Sequence, residues 1–252
     1  DHAPYGSTRP GPAPAVTSGE PDTASAPDLG RLDLGVPGRS AQRKHDRLSA
    51  RREQRCRSKH PLIGGALLSM FGDPQTTRAW ADGARGESIV GARLDALARS
   101  GVITLHDRRV PRSRANIDHI ALAAAGIYVV DAKYRERGRV EERSSGTIFR
   151  PGPSQLYVGR RNRTPMVRKM AVQVAHVTRA LGDLPEAAAV PIQSVLAFVN
   201  ADWGFFPSPI KIDEVLVVWP KQLDKVVSRP GPLGPRQLAC IAERLCEALV
   251  PA

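Results

Sequence analysis

The chain has 252 residues, of which 41% are hydrophobic, 25% charged and 5% aromatic, and its formal net charge is +12. That balance supports a folded domain with its own core and excludes a collagen-like or coiled-coil rod. The longest apolar run, Ile120 to Val130, is interrupted by Gly126 and is too short to cross a bilayer as a helix. Three scattered cysteines, Cys56, Cys240 and Cys246, form no Cys-x-x-Cys or Cys/His pattern, so neither a disulfide scaffold nor a zinc module is expected. Free thiols and the lack of a signal-peptide pattern point to a reducing, cytoplasmic setting.

In chain order, residues 1–38 come first, rich in Pro, Ala, Ser and Gly with few large apolar groups. Such a segment cannot offset its ordering entropy and reads as a disordered tail. Residues 39–75 form a second unit. Arg39 to Lys59 lacks Pro and Gly and is rich in helix formers, so a basic, solvent-exposed helix is expected, followed by a short apolar stretch over Leu62–Phe71. Residues 76–252 form the third unit. Apolar residues at helical intervals from Arg78 to Ser100 predict a helix, with Gly83, Gly86 and Gly91 suggesting a break or close packing near Glu87.

Strands are expected at Val102–Leu105, then at Ile117–Ala123 and Ile127–Ala132 as a hairpin around Ala124-Ala125-Gly126. Shorter strands follow near 139–142, 147–149 and 155–158. Thr164-Pro165 opens a helix to about Leu181, since Pro is favoured in a first helical turn. Ile192–Val199 and Val215–Val218 read as buried strands, and Gly234-Pro235 opens a last helix to Leu249. The order predicts an α/β domain on one sheet.

The charge is concentrated. Residues 39–59 hold nine Lys/Arg against two acids, and residues 133–169 hold eleven against three. Two such blocks favour a polyanionic partner, nucleic acid being the commonest.

The hairpin carries the chemistry. Asp131 and Lys133 are two apart and share a strand face. A two-residue loop at Ala124-Ala125 places Asp118 opposite Asp131; a loop at Ala125-Gly126 places it opposite Lys133; a three-residue loop undoes the alignment. Two carboxylates and a Lys at a sheet end form an oxygen-rich site of the kind hard cations such as Mg²⁺ or Mn²⁺ prefer. The bland alternative is a strand-end salt bridge.

The ordered set GARGESIVGARL, ANIDHI, GIYVVDAKY and VQVAHV resembles the nuclease-related domain (NERD) family, a branch of the restriction-endonuclease-like PD-(D/E)xK superfamily. The resemblance covers about residues 78–250. It implies an αβββαβ core with a mixed central sheet flanked by helices. It also implies an active site of Glu87, Asp118, Asp131, Lys133 and Gln173, with Glu87, Asp118 and Asp131 as metal ligands. The superfamily's Pro before the first acid is replaced by Ile117, and the acid before Lys is Asp.

Arg135, Arg137 and Arg139 follow Lys133, while Arg160, Arg161 and Arg163 precede the Gln173 helix. Guanidinium groups there suit phosphate contacts. Tyr134 and Tyr157 are the nearest candidates for limited base stacking. His119 reads as a core histidine, His106 with Asp107 as a strand-end pair, and His176 as a neighbour of Gln173. The expected function is a Mg-dependent phosphodiesterase acting on DNA, or less readily on RNA. The alternatives are a nucleic-acid-binding module on a nuclease fold, and a scaffold whose basic segment docks on anionic lipid or an acidic partner.

Overall fold

The structure is a computed structural model that describes residues 29–59, 74–113, 115–134, 138–144, 146 and 152–252. Its centre is a run of strands that are apolar on both faces. β1 (Ile103–Arg109), β2 (Asn116–Ala123) and β3 (Gly126–Tyr134) form an antiparallel meander. The β2–β3 turn is the two-residue loop at Ala124-Ala125, with Ala123 opposite Gly126 and His119 opposite Val130. One further step in that register sets Asp118 against Asp131.

After β3 the chain builds β4 (Val140–Ser144), β5 (Ser154–Val158) and β6 (Arg161–Asn162). α3 (Thr164–Leu181) then carries it across to β7 (Ile192–Val199), which pairs parallel with β3. A parallel pair needs such a crossover. β8 (Ile210–Ile212) and β9 (Val215–Val218) complete a six-stranded mixed sheet in the order β1-β2-β3-β7-β9-β8. β7 pairs parallel with β9, and β8 pairs antiparallel with β9.

Helices cover both faces, which is why the central strands read as continuous apolar runs. On one face Ile120, Leu122, Val129, Leu196 and Phe198 meet Val167, Met170 and Val177 of α3 and Leu238, Ile241 and Leu245 of α5 (Pro235–Ala248). On the other, Ala121, Val130, Ala132, Val195 and Ala197 meet Val90 and Leu94 of α2 (Gln75–Ala96) and Leu223, Val226 and Val227 of α4 (Pro220–Val227). The small side chains on this second face let α2 lie close. A methyl group added at Gly86 would fall 2.8 Å from Tyr134 Cβ, and one at Gly91 would fall 2.4 Å from Pro37 Cβ. α1 (Arg39–Lys59) packs along α2. Among the described residues no helix is long and apolar enough to cross a membrane.

Several expectations change. β4, β5 and β6 form a separate three-stranded sheet and do not extend the central one. The edge next to β3 is already taken by β7, so the small sheet instead inserts Val140, Leu156 and Val158 into the α3-side core. Of the two readings of the α2 glycines, the break fails, since the helix is continuous, and close packing holds at Gly86 and Gly91 but not at Gly83. β8 and α4 were not anticipated: β8 has only three residues, and α4 has eight, opened by Pro220. The expected tail boundary at residue 38 also moves. The backbone amide of His106 donates to Leu34 O (2.7 Å), and the Arg108 guanidinium donates to Asp33 O, so residues 33–38 strap across β1. Residues 1–28, the apolar stretch 62–71 and the strand expected at 147–149 lie outside the described residues.

The seating of α2 can be tested directly. Gly86→Ala should destabilise the fold by about 1–3 kcal/mol in urea unfolding, since the added methyl meets Tyr134 Cβ, which is fixed to the β3 backbone and cannot rotate away. Gly83→Ala, which meets nothing within 4 Å, should stabilise the same helix by up to about 1 kcal/mol.

Candidate active site

The paired part of β2 and β3 ends at His119 and Val130, and the acids stand just beyond it. There the Ala132 amide donates to Asp118 Oδ2 at 2.9 Å. A side chain thus takes the place of a ladder partner and the two strands part. The strand on the other side is distorted at the same level. Asp107 lies opposite Asp118 between two regular pairs and has φ +49°. The strands therefore open into a cleft of about 580 Å³ whose walls include Glu87, Asp118, Asp131 and Lys133.

Four of the five residues expected to be catalytic thus share one cavity. The fifth, Gln173, is on α3 and does not line it; its Oε1 is buried with no hydrogen-bond partner. Lys133 Nζ donates to Asp131 Oδ1 (2.6 Å) and to Ala132 O (3.3 Å).

At the end of the hairpin the carboxyl groups of Glu87, Asp118 and Asp131 crowd round the Lys133 ammonium. Burial, then the Asp131 and Glu87 charges, push the Asp118 carboxyl well above the usual range; Lys133 pulls the other way, and a hydrogen bond to Asp131 favours the protonated form further. Burial, then Asp107 and Asp131, raise Glu87 to about 7 against the opposing pull of Lys133 and the Gly38 amide. Burial alone would lower Lys133, but Asp131, Asp118 and Glu87 outweigh it and hold the group above its ordinary value, as an ammonium. One ammonium faces three carboxyl groups, so protons fill the gap when no cation does.

Among the described residues, no three Asp, Glu, His or Cys side chains converge into a metal cage by themselves. Asp118 and Asp131 are in contact, and Glu87 is near enough to shift Asp118. That donor set fits Mg²⁺, which retains several waters and is bound through one or two carboxylates plus substrate phosphate.

The basic residues divide. Arg161 lines the cleft. Arg139 is exposed and sits against Gly204, Arg160 is exposed on the β5–β6 turn, and the Arg163 amide donates to Leu156 O at 2.7 Å. None of these three lines the cleft. Arg135 and Arg137 lie outside the described residues. Tyr134 lines the cleft under the Arg85 guanidinium, while Tyr157 is covered by Arg143 at 4.2 Å on the small sheet.

His119 is fully buried, its Nδ1 2.9 Å from His106 Nδ1, and His106 Nε2 is 2.8 Å from Asp95 Oδ1. This is the core histidine the sequence suggested. His106 and Asp107 are buried within β1, not in a loop at a strand end as the sequence suggested. His176 does not line the cleft.

The sequence reading missed three contributors. Arg78 lines the cleft from the first turn of α2. Gly38, at φ +75°, presents its amide to Glu87. Asp107 accepts from Ser40 N (2.6 Å), Ser40 Oγ (2.7 Å) and Asn116 Nδ2 (3.0 Å), which ties the start of α1 to β1 and β2. The left-handed glycine was the only local signal for any of these.

An αβββαβ core with an acid pair at the parting of two strands defines a protein with the restriction-endonuclease-like fold. Residues 82–199 match the family model of the nuclease-related domain. The match covers 118 of the 252 residues and likens that segment to the nuclease-related domain, whose general kind of fold is that of the PD-(D/E)xK superfamily. The match begins within α2 and ends with β7, leaving α1 and everything after β7 outside it. No curated protein and no solved structure matches the chain.

The raised Glu87 carboxyl has a measurable consequence. A carboxyl higher in the folded than in the unfolded state stabilises the fold only while protonated. Its contribution is full below the unfolded value of 4.5 and is lost as pH rises through about 7. Glu87→Gln should therefore raise stability by about 1–3 kcal/mol at pH 8 in chelator and change it little at pH 5, as read by thermal or urea denaturation.

Proposed function

We propose that the protein is a metal-dependent nuclease that hydrolyses phosphodiester bonds of DNA. The observation that carries this reading is the convergence of Glu87, Asp118, Asp131 and Lys133 in one open cleft with two guanidinium groups, Arg78 and Arg161, on its walls. Asp118 and Asp131 would hold a divalent cation, with Glu87 reaching it directly or through water. When bound, such a cation neutralises charge on a phosphate oxygen and lowers the pKa of a coordinated water.

The remaining work falls to this chain's own groups. Lys133, held as an ammonium by its acidic neighbours, orients the attacking water or stabilises charge gathering on the phosphate. Arg78 and Arg161 hold the phosphates that flank the scissile one, a contact that positions the strand without reading its sequence. Gln173 does not line the cleft, and its unpartnered buried amide oxygen is an acceptor that cannot hold a phosphate, so it takes no part in this mechanism. Few aromatics are available, and Tyr134 is the one in the cleft, so recognition rests on the backbone and not on stacked bases.

The test is cleavage of plasmid and linear DNA with Mg²⁺ or Mn²⁺. Wild-type protein should cut, and Asp131→Asn or Lys133→Ala should lower the rate at least ~100-fold, about 3 kcal/mol of barrier. Unchanged rates in both variants would remove these residues from the mechanism. Salt-sensitive DNA binding with no cleavage at any metal concentration would instead establish the binding-module reading.

A further inference from the structure

α1 lies outside the matched family segment, and the proposed chemistry makes no use of it. Its sequence repeats a cation every fourth residue: Arg43, Arg47, Arg51, Arg55 and Lys59, all exposed. Residues four apart on a helix are neighbours, about 6 Å apart along the axis. The five therefore form one stripe that winds slowly round the helix. Like charges at this spacing repel and weaken a helix. The helix acids, Asp46 and Glu53, relieve little of this.

The stripe runs into a second cleft. A cavity of about 400 Å³ between the first turns of α1 and the β1–β2 edge is lined by Arg43, Lys44 and Arg47 from the helix and Arg109 from β1. No Asp or Glu lines it. Arg43 already donates to the Ala252 main-chain oxygen, and Lys44, Arg47 and Arg109 are the other cations that line the cleft.

The cleft is held in place. Ser40 and Asn116 line it, and both are fixed by the Asp107 carboxylate, which is only 2% exposed. Asn116 also donates to Ser40 Oγ at 2.8 Å. Asn116 stands two residues before Asp118, about 7 Å away along β2. The cationic cleft and the carboxylate cleft are thus neighbours on one strand, near enough for a single polyanion to reach both.

We infer that α1 and this cleft form a second backbone-binding track, which holds phosphates of the same nucleic-acid strand whose scissile phosphate enters the carboxylate cleft. The inference rests on the nucleic-acid reading above but not on cleavage. The ligand class is the phosphodiester backbone: cations without aromatic partners suit phosphate and carry no base readout.

The experiment measures binding of the full chain to a fluorescent DNA duplex in chelator, over a range of salt. Lys44→Ala/Arg47→Ala should weaken binding about tenfold or more and reduce the slope of log affinity against log salt by about two. Arg168→Ala/Lys169→Ala removes the same charge from an exposed part of α3 and should cost less than about threefold. Equal losses from the two double variants would reduce the track to a diffuse field and overturn the inference. So would wild-type protein that ignores DNA, or that binds vesicles of anionic phospholipid more tightly than DNA through the same two residues. Because hydrolysis is not the readout, wild-type protein that binds in this way but never cuts would remove the nuclease reading and leave the track standing.

Discussion

Two carboxylates held in contact at the parting of β2 and β3 are the constraint on which the rest of the molecule depends. Like charges in a half-buried cleft cannot both ionise cheaply, and one is driven to hold its proton or to share a cation. The price of that arrangement is met by the hairpin itself: an unbroken ladder from Ala123–Gly126 to His119–Val130 leaves Asp118 and Asp131 no freedom to separate. The Ala132 amide on one acid and the Lys133 ammonium on the other complete the restraint. Under the proposed function, a divalent cation bound there would relieve the repulsion that the fold endures without it.

The scaffold around the pair is arranged to bring a third acid close without covering it. Glu87 comes from α2, and α2 reaches the sheet because Gly86 carries no side chain against Tyr134 and the sheet face beneath offers Ala121, Ala132 and Ala197, while Gly91 makes room for Pro37. Residues 33–38 then pass over β1 and hand the Gly38 amide to Glu87. Asp107, opposite Asp118 in register, is consumed by Ser40 and Asn116 and so contributes field rather than a ligand. The segment before α1 and the start of α1 are thereby part of the domain's construction.

The two basic blocks end up in different places. The 133–169 block builds the small sheet beside the site, and of its described arginines only Arg161 reaches the cleft wall. The 39–59 block forms α1, whose first turns border a second cleft on the other side of the Asp107 network. A polyanion bound to this protein would therefore meet positive charge on both sides of the acids, which compensates for the negative potential at the site itself.

Much of this was written locally. The residue types and periods fixed α1 at Arg39–Lys59, α3 at Thr164–Leu181, and β7 and β9 at their observed bounds, since each is set by a Pro, a Gly or a run of β-branched residues within a few positions. The hairpin register was narrowed to a few choices by its turn residues, and each choice carried a definite partner for Asp118. Selecting among them, and bringing Glu87 but not Gln173 to the cleft wall, depended on how helices separated by the whole sheet settle against it. Gly38 against Glu87 and Ser40 against Asp107 leave no mark in any short window, because those partners are 49 and 67 residues apart and meet only when the core closes. The sequence by itself determined which side chains could do acid, ammonium and phosphate chemistry; the tertiary structure decided which of them share a cavity, because proximity between distant segments is set by packing and not by spacing along the chain.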